Sequence, residues 1–273
     1  MSVKTFCHTG PNPVCFRTLD QKDPASLESY LSVGGWKEWE KICKNKPDPK
    51  EIVEAVKASG LRGRGGAGFL TGLKWSFMPP QTTPKEQRYL ICNSDEGEPG
   101  TCKDREIMRQ NPHQLLEGMA IAAYAIGADT AYNFLRGEYD EPFYACEKAL
   151  KEALDSGYLG TNVFGSSINM NVHNLLGSGS YIVGEETALL EAIEGKAGRP
   201  RNKPPFPIQK GLYQCPTVVN NTESLASVPV ILQNGAKWFK KIGTEKSGGT
   251  KLFCVSGHVN KPGNYELPLG TPF

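Results

Sequence analysis

The residues with the clearest chemical meaning in this sequence are four glycines within positions 63–68. Because glycine has no Cβ, backbone N–H groups in such a loop can approach a flat or phosphorylated ligand closely. Phe69, Lys74 and Phe77 follow and add aromatic faces and a cation, which suit a dinucleotide or a flavin. A tight turn is the alternative, but the combination predicts a cofactor-binding loop. The predicted loop contacts are Gly63, Arg64, Gly65, Gly66, Ala67 and Gly68.

A second candidate is the acidic stretch at residues 93–101, which follows a predicted strand. Ligands of open α/β sheets bind at the carboxyl ends of the strands. Asp95, Glu96 and Glu98 could therefore hydrogen-bond ribose or flavin groups, and their charge would favour NAD(H) over NADP(H). An acidic loop that is merely solvated is the alternative.

A second glycine-rich turn leads into a predicted helix whose first turn carries Glu185 and Glu186. A helix N-terminus attracts anions, but here two carboxylates already occupy it. We therefore expect polar contacts to a neutral ring system rather than to a phosphate. The alternative is that both glutamates only complement the helix dipole.

Two further segments offer ligand-binding groups. The proline-rich residues 203–207 could present Lys203 and Phe206 to a cofactor, or could form a polyproline II ligand for a partner domain. Asn220 and Asn221 end an apolar run with two amides suited to a phosphate or a pyrimidine edge, although Asn-Asn also marks turns.

Composition restricts the class of protein. The chain has 273 residues and a net charge of +2, so it predicts no basic surface for nucleic acid. The longest apolar run, residues 119–128, is too short to span a bilayer, and the polar N-terminus lacks the apolar stretch of a secretory signal. We expect a cytoplasmic protein with no nucleic-acid partner and no direct membrane insertion.

Cysteine and histidine spacing argues against metal and nucleophilic chemistry. None of the eight cysteines forms a C-x-x-C pair, so we expect reduced structural thiols and no metal site. The four histidines are isolated, and no Ser/His/Asp spacing indicates a nucleophile. Hydride transfer fits this pattern, because the cofactors carry the chemistry and the protein positions them.

Strands that alternate with helices must position these groups. Residues 1–47 are broken by proline and glycine and predict irregular structure, and Asp48 then predicts the cap of a helix that leads into the glycine loop. The predicted strands are 88–92, 131–135, 167–172 and 250–256, the predicted helices are 48–60, 111–127, 140–154 and 184–194, and residues 200–207 are predicted as extended. This order indicates a Rossmann-like α/β layered sheet.

Residues 240–249 form a Lys/Gly-rich patch, after which a new strand begins. We therefore predict an α/β domain at 1–247, with an irregular N-terminal extension, and the start of a second module at 248–273. About 25 residues cannot build their own core, so the second module is expected to be incomplete.

Five motifs in one order carry a family resemblance. They are residues 60–69, 93–101, 136–139 and 184–191, and the pair 203–207 with 219–221. With these motifs the sequence resembles the NADH- and FMN-binding flavoprotein subunit of respiratory complex I, the 51 kDa type. Similar flavoproteins serve soluble hydrogenases and formate dehydrogenases and share the same motifs. The resemblance also implies that the second module is ubiquitin-like, of the SLBB type.

The resemblance implies a role for each matching position. The FMN-lining residues would be Gly63, Gly65, Gly66, Lys74, Asn93, Asp95, Tyr181, Gly184, Glu185, Asn220 and Asn221. The adenosine half of NADH would contact Phe69, Phe77, Lys203 and Phe206. Glu98 and Glu186 would approach its ribose and nicotinamide side and position the ring without acting as catalytic residues.

Two departures from the family pattern stand out. Leu70 occupies a position where the family usually has proline, which is expected to loosen the start of the loop slightly. The family also continues into a helical bundle with a Cys-x-x-Cys-x-x-Cys set for a [4Fe–4S] cluster, and those ligands are not in this sequence. The chain is therefore expected to be a fragment or a shortened product, or to have that part supplied separately.

Taken together, these features predict an NADH dehydrogenase flavoprotein subunit that transfers hydride from NADH to FMN. Electrons would then pass toward iron–sulfur clusters and quinone in the full complex. The implied partners are NADH, the [2Fe–2S] thioredoxin-like subunit and other peripheral-arm subunits, at the cytoplasmic side of the inner membrane. A diaphorase subunit of a soluble NAD-linked hydrogenase or formate dehydrogenase is the alternative, and a non-catalytic remnant that binds nucleotide or partner subunits is a third.

Overall fold

The computed structural model describes residues 7–82 and 85–272 of the chain, so the predicted outer domain limits at residues 1 and 273 lie outside it. The helices are α1 (Leu27–Ser32), α2 (Lys37–Asn45), α3 (Pro49–Ser59), α4 (Thr71–Ser76), α5 (Lys103–Gln110), α6 (Pro112–Ile126), α7 (Asp140–Asp155), α8 (Glu186–Ile193), α9 (Thr222–Asn234) and α10 (Ala236–Lys241). The strands are β1 (Cys7–Thr9), β2 (Tyr89–Ser94), β3 (Thr130–Leu135), β4 (Asn171–Leu176), β5 (Thr217–Asn221), β6 (Gly243–Thr244), β7 (Ser247–Gly248), β8 (Thr250–Val255) and β9 (Gly263–Pro268).

The central sheet has four parallel strands in the order β4-β3-β2-β5. The chain runs outward from β2 through β3 to β4 and then crosses back to place β5 on the other side of β2. The direction of winding therefore reverses between β2 and β5, and crevices at such a switch point hold ligands. In the register, Asn93 at the end of β2 faces Asn221 at the end of β5.

Apolar side chains on alternate sides of the strands pack against two layers. Leu90 and Cys92 belong to the large core that α6 and α9 share. Ile91 and Val219 belong to a smaller core on the opposite face, which includes the buried leucines of α8. Burial on both faces is typical of a parallel sheet, and the predicted α/β class is confirmed.

Helices α3 and α6 form where local signals in the sequence predict them. The Asp48 side chain accepts a hydrogen bond from the Lys50 amide at 3.0 Å, and α3 ends at Gly60 in the left-handed region with φ of 70°. Helix α6 has proline in its first turn and ends at Gly127 with φ of 76°. These caps explain why both helices were predictable.

Three predictions of secondary structure are wrong. Residues 27–45 are not irregular, because they form α1 and α2, whose Trp39 is fully buried. The strand predicted at 167–172 lies at Asn171–Leu176, where the chain pairs with β3. Residues 200–207 do not form one extended segment, because the chain bends at 203–205 and turns at 207.

The sequence analysis also missed α5 and α9. The buried residues of α5 include Lys103, Asp104 and Glu106, so its buried face carries charged groups and lacks an apolar period. Helix α9 contains Pro229, which removes a backbone donor and is read as a break. Among all described helices, none is long and apolar enough to cross a membrane.

The two ends of the chain meet in a second sheet of order β1-β9-β8. Strand β1 is parallel to β9, and β8 is antiparallel to it. The buried Glu266 carboxylate accepts hydrogen bonds from the amides of Val14, Cys15 and Phe16 at 2.7 to 2.9 Å. The C-terminal residues thus pack on N-terminal ones, and the predicted boundary between residues 247 and 248 falls within β7.

Candidate functional site

The glycine loop lies between α3 and α4, above the carboxyl end of β5. Its base is closed by the Gly63 amide, which donates to the Phe69 carbonyl at 2.8 Å, and by the Thr71 amide, which donates to the Leu61 carbonyl at 2.9 Å. A Cβ on Gly65 would lie 3.3 Å from the Cβ of Asn221, so the loop rests directly on the end of the strand.

The top of the loop is open. Gly66 and Gly68 have φ of 128° and 66°, and a Cβ on either would meet no atom within 4 Å. Among the described residues, the amides of Gly65, Gly66, Ala67 and Gly68 donate no hydrogen bond of normal geometry. Unpaired N–H groups around positive-φ glycines form a concave anion-binding surface. This surface fits the phosphate or the ring of a flavin.

Arg64 behaves differently from the rest of the loop. Its side chain is buried and donates to the carbonyls of Thr250 and Gly248 at 2.9 and 3.3 Å, and its amide donates to the Ser224 hydroxyl at 2.9 Å. The guanidinium Nε lies 3.7 Å from Glu223. The side chain therefore anchors the loop to the C-terminal strands, and the role of Arg64 as a cofactor contact stays a prediction.

The acidic stretch begins where β2 ends. The Asn93 side-chain Nδ2 donates to the Gly184 carbonyl at 2.8 Å, and the Asp95 backbone amide donates to Asn93 Oδ1 at 3.2 Å. Burial raises the pKa of Asp95 to about 6, against the opposing charge of Arg136. Asp95 Oδ2 is buried and accepts no hydrogen bond from any described residue. A buried, unpartnered carboxylate oxygen is costly, so this atom is a candidate ligand contact.

A small open cleft of about 80 Å³ adjoins Asp95. Arg136 and Tyr181 line it, together with the second glycine-rich turn around Gly179. Arg136 donates to the Glu96 carbonyl at 2.9 Å and pairs with Glu138 at 3.0 Å. The sequence analysis did not assign Arg136, although it directly follows β3 and so lies at the same edge of the sheet as Asn93.

Glu96 differs from its prediction as a ribose or flavin contact. Its carboxylate is buried and accepts hydrogen bonds from the amides of Lys103 and Asp104 at 3.1 Å and from the Tyr139 hydroxyl at 2.9 Å. Burial, followed by the charge of Asp104, raises the pKa of Glu96 to about 7. Both oxygens are occupied, so Glu96 caps α5, a helix that the sequence analysis did not detect.

Glu185 caps α8. Its Oε2 accepts hydrogen bonds from the amides of Thr187 and Ala188 at 2.8 and 2.9 Å, and its Oε1 lies 3.2 Å from Lys203 Nζ. Burial opposes the charged form, but these hydrogen bonds lower the pKa of Glu185. The Oε2 atom of Glu185 therefore complements the start of α8, as the alternative interpretation of the sequence expected, whereas Oε1 faces Lys203.

Glu186 lies between two lysines. Lys203 Nζ is 2.6 Å from its Oε1, and Lys74 Nζ is 3.3 Å from its Oε2. Burial would raise the pKa of Glu186, but the two ammonium groups together lower it. Lys74 also donates to the Val219 carbonyl at 2.8 Å, which holds this charged group at the end of β5. The structure thus brings together three residues that are far apart in sequence.

Several predicted aromatic contacts are exposed. Phe69, Phe77, Tyr181 and Phe206 expose between 49% and 66% of their surface, and the rings of Phe69 and Phe77 lie 6.2 Å apart. The Tyr181 hydroxyl donates to Glu98 at 2.8 Å. Aromatic rings are usually buried, so exposed rings beside an open loop suit stacking on a planar ligand.

The two asparagines at the end of β5 support their neighbours. Asn220 is buried, and its Oδ1 accepts a hydrogen bond from the Trp75 indole at 2.8 Å. Asn221 caps α9 by accepting from the Glu223 amide at 3.0 Å, and it donates to Asp104 at 2.6 Å. A short polar run after a strand can therefore mark a helix start, whereas the sequence was interpreted here as a ligand contact, with a turn as the alternative.

Residues 56–230 match the sequence model of the Nuo51 FMN-binding domain, and residues 252–273 match that of the SLBB domain. An NADH-quinone oxidoreductase subunit of Rhizobium meliloti (strain 1021) is 54% identical over 258 residues, 94% of this chain and 61% of that protein. An NADH-quinone oxidoreductase subunit of Rickettsia bellii (strain OSU 85-389) is 51% identical over 257 residues, with the same two coverages of 94% and 61%. The chain spans about three fifths of the length of these relatives.

Among solved structures, a chain of the NAD⁺-reducing [NiFe]-hydrogenase in the H₂-reduced state superimposes with a TM-score of 0.81. Its sequence is 41% identical, and the match covers 99% of this chain and 43% of that chain. The fold, the motifs and the family match agree, which confirms the resemblance seen in the sequence. The chain belongs to the Nuo51 FMN-binding domain family.

Proposed function

We propose that the chain binds FMN at the glycine loop and serves as the flavoprotein subunit of an NADH dehydrogenase that ultimately reduces quinone. The observation that carries the proposal is the row of unpaired amides at Gly65–Gly68 above the switch point between β2 and β5. When bound, FMN would accept a hydride from NADH and supply electrons to iron–sulfur centres. The protein's own part is to bind and orient both molecules.

The FMN contacts are proposed from groups with free hydrogen-bonding capacity. The amides of Gly66 and Gly68 are donors without an acceptor among the described residues, and Asp95 Oδ2 is an acceptor without a donor there. Lys74 supplies a charge held at the end of β5. These groups match a ligand that carries both an anionic phosphate and ring N–H groups.

NADH is proposed to lie across the exposed aromatic side chains. Phe69, Phe77 and Phe206 offer faces for the adenine, and the cluster of Glu186 with its two lysines offers polar contacts for the sugar. Glu185 and Glu186 together balance the charges of Lys74 and Lys203, so this region has no excess negative charge. Discrimination against the additional phosphate of NADPH is therefore proposed to depend mainly on Glu98.

The partners are proposed from the relatives, which are named as subunits of NADH-quinone oxidoreductases. Such a name implies further subunits, and we propose the [2Fe–2S] thioredoxin-like subunit and other peripheral-arm subunits, at the cytoplasmic side of the inner membrane. A diaphorase role remains a second proposal, because a chain of an NAD⁺-reducing hydrogenase shares the fold at 41% identity. The subunits that copurify with the tagged chain from its own cells would distinguish the two.

Flavin analysis of the purified full chain tests the proposal. We expect a yellow protein that releases FMN and not FAD, as identified by mass spectrometry, and that reduces ferricyanide with NADH. If the folded chain neither retains nor rebinds FMN, the non-catalytic remnant becomes the better description. Circular dichroism of the same sample establishes that the chain is folded, so that loss of flavin is not confused with loss of structure.

A further inference from the structure

Three cysteines from distant parts of the sequence meet at the second sheet. Cys7 on β1 and Cys254 on β8 both lie in register with Asn264 on the central strand β9. Residues in register point to the same face of a sheet, so their side chains are neighbours. Cys102, which immediately precedes α5, packs on that face with its sulfur 3.4 Å from the Asn264 side chain.

Cys102 and Cys254 lie close enough to react. The Cys102 amide donates to the Cys254 sulfur at 3.3 Å, so that sulfur lies within a side-chain length of Cys102 Sγ. Both residues are partly exposed and both are free thiols. In the part of the chain that is described, no group of three or more Cys, His, Asp or Glu side chains has the geometry to hold a metal ion.

We propose that Cys102 and Cys254 form a peroxide-sensitive dithiol that closes into a disulfide and ties the C-terminal sheet to the acidic stretch of the candidate site. The Cys102 thiolate attacks hydrogen peroxide, breaks the O–O bond and becomes a sulfenic acid while hydroxide leaves. Cys254 then attacks the Cys102 sulfur, and its proton leaves with the displaced hydroxide as water. Overall, two thiols lose two electrons and peroxide becomes two waters.

The environments of the three thiols decide which one attacks. The hydrogen bond from Cys254, against the opposing effect of burial, lowers the pKa of Cys102 to about 6, and Asn264 and Arg105 act in the same direction. Burial and the neighbouring Glu106 raise the pKa of Cys7 to about 12, and its thiol donates to that carboxylate at 3.6 Å. The hydrogen bond to Cys102, followed by burial, raises the pKa of Cys254, so Cys254 keeps its proton while Cys102 is reduced. Only the thiolate is nucleophilic, so Cys102 is the attacking residue, Cys254 reacts after Cys102 is oxidised, and Cys7 is the inert neighbour.

The disulfide would act on the candidate site through α5. Glu96 caps the helix that Cys102 precedes, and the acidic stretch from Asp95 runs directly into Cys102. A bond from Cys102 to β8 would fix that stretch against the C-terminal sheet. Oxidation therefore couples the redox state of the surroundings to the mobility of a segment beside the flavin loop.

Peptide mapping of the full chain after treatment with hydrogen peroxide tests the proposal. After free thiols are blocked, digestion without reductant should yield a cross-linked peptide that joins residues 102 and 254 in the unmodified chain. Cys7→Ser is the matched control from the same cluster and should retain the cross-link. Cys254→Ser should instead leave a sulfenic acid on Cys102 that dimedone traps, and Cys102→Ser should leave no dimedone adduct on Cys254.

A measurement on the unmodified chain avoids dependence on variants that fail to fold. At pH 7 we expect iodoacetamide to alkylate Cys102 at least about tenfold faster than Cys7, because only Cys102 is largely a thiolate. A cross-link to Cys7, a dimedone adduct on Cys254 instead of Cys102, or equal alkylation rates for Cys102 and Cys7 would each overturn the proposal.

Discussion

Two groups of converging backbone amides in this molecule differ in whether the protein itself supplies a hydrogen-bond acceptor for them. Near the N-terminus, the amides of Val14, Cys15 and Phe16 surround the Glu266 carboxylate, which is 1% exposed. In the glycine loop, the amides of Gly65–Gly68 donate no hydrogen bond of normal geometry among the described residues, and Gly65, Gly66 and Ala67 are exposed. The first group is completed by the chain itself, whereas the second is left for a ligand.

The same contrast recurs at helix ends. Glu96 fills the N-terminus of α5, and Glu185 fills that of α8. Where amides converge for a structural purpose, this chain supplies its own carboxylate, because buried unpaired donors are costly. An amide cluster without an internal acceptor is therefore stronger support for a binding site than glycine content alone.

The largest effect on stability is expected where the Glu266 carboxylate accepts hydrogen bonds from the amides of Val14, Cys15 and Phe16. Glu266→Ala would leave three buried amides and the Thr250 hydroxyl without an acceptor. We expect the free energy of unfolding to fall by about 3–5 kcal/mol, measured by urea denaturation. Glu245→Ala, at an exposed glutamate, is the control and should change it by less than about 0.5 kcal/mol. If Glu266→Ala changes the free energy of unfolding no more than the control does, the Glu266 carboxylate does not stabilise these amides, and the contrast with the glycine loop fails.

A substitution in the glycine loop should weaken FMN binding more than it lowers the free energy of unfolding. Gly66→Val places a branched side chain on the open face of the loop at a φ of 128°. We expect at least about 100-fold weaker FMN binding, or about 2.7 kcal/mol, by fluorescence titration. Gly157→Val carries a similar strain, since φ is 73° and no atom lies near, but it is outside the loop. Equal FMN affinity in both variants would make the glycine loop purely structural.

A third test concerns Asp95, whose pKa burial raises to about 6 from the ordinary 3.8. A raised carboxyl pKa means that the folded state holds the proton more tightly, so this contribution to stability is full below about pH 4 and is lost as the pH rises through about 6. In the flavin-free chain, Asp95→Asn should therefore raise the free energy of unfolding at pH 8 by about 1 kcal/mol, after allowance for solvent screening. At pH 4 the two proteins should be alike. Identical urea curves at pH 8 would show that Asp95 is already well solvated.

The smallest expected effect concerns the choice of dinucleotide. Glu186→Gln would leave Lys74 without its carboxylate and Lys203 with Glu185 alone, and the excess positive charge would attract the additional phosphate of NADPH. We expect the ratio of kcat/KM for NADH over NADPH, with ferricyanide as acceptor, to narrow about threefold. Glu51→Gln, at an exposed glutamate on α3, should leave the ratio unchanged. If the ratio of kcat/KM for NADH over NADPH is larger in Glu186→Gln, the proposal that Glu186 and its two lysines face the sugar of the dinucleotide is wrong.

The sequence predicted elements whose signals are local. Helix α3 has an aspartate cap, a proline in its first turn and a terminal glycine, and α6 has a proline start and a glycine stop, so both could be read from nearby residues. The end of β2 was likewise predicted from an apolar run followed by polar residues. The acidic stretch was therefore placed correctly after β2, and the glycine loop was placed correctly after α3.

The parts that could not be predicted depend on contacts between distant residues. Glu96 reads as an exposed carboxylate until α5 is known to start where its oxygens point. Arg64 reads as a ligand-facing cation until β8 supplies two carbonyls for it. The carbonyls that Arg64 contacts lie more than 180 residues further along the chain, and Glu96 bonds Tyr139, 43 residues away, and caps a nearby helix that has no apolar period. Neither contact has a local pattern, so the sequence did not indicate that these side chains also serve the fold.

The pairing of the two chain ends has a consequence for how the molecule folds. Glu266 lies 252 residues after Val14, so closure of this contact costs a large loop entropy and raises the contact order of the fold. On the ribosome, the amides of residues 14–16 remain without their carboxylate until residue 266 has been synthesised. We expect these amides to be the last to gain protection in pulse-labelled hydrogen exchange during refolding, after those of α6. Early protection there would indicate a different partner during folding.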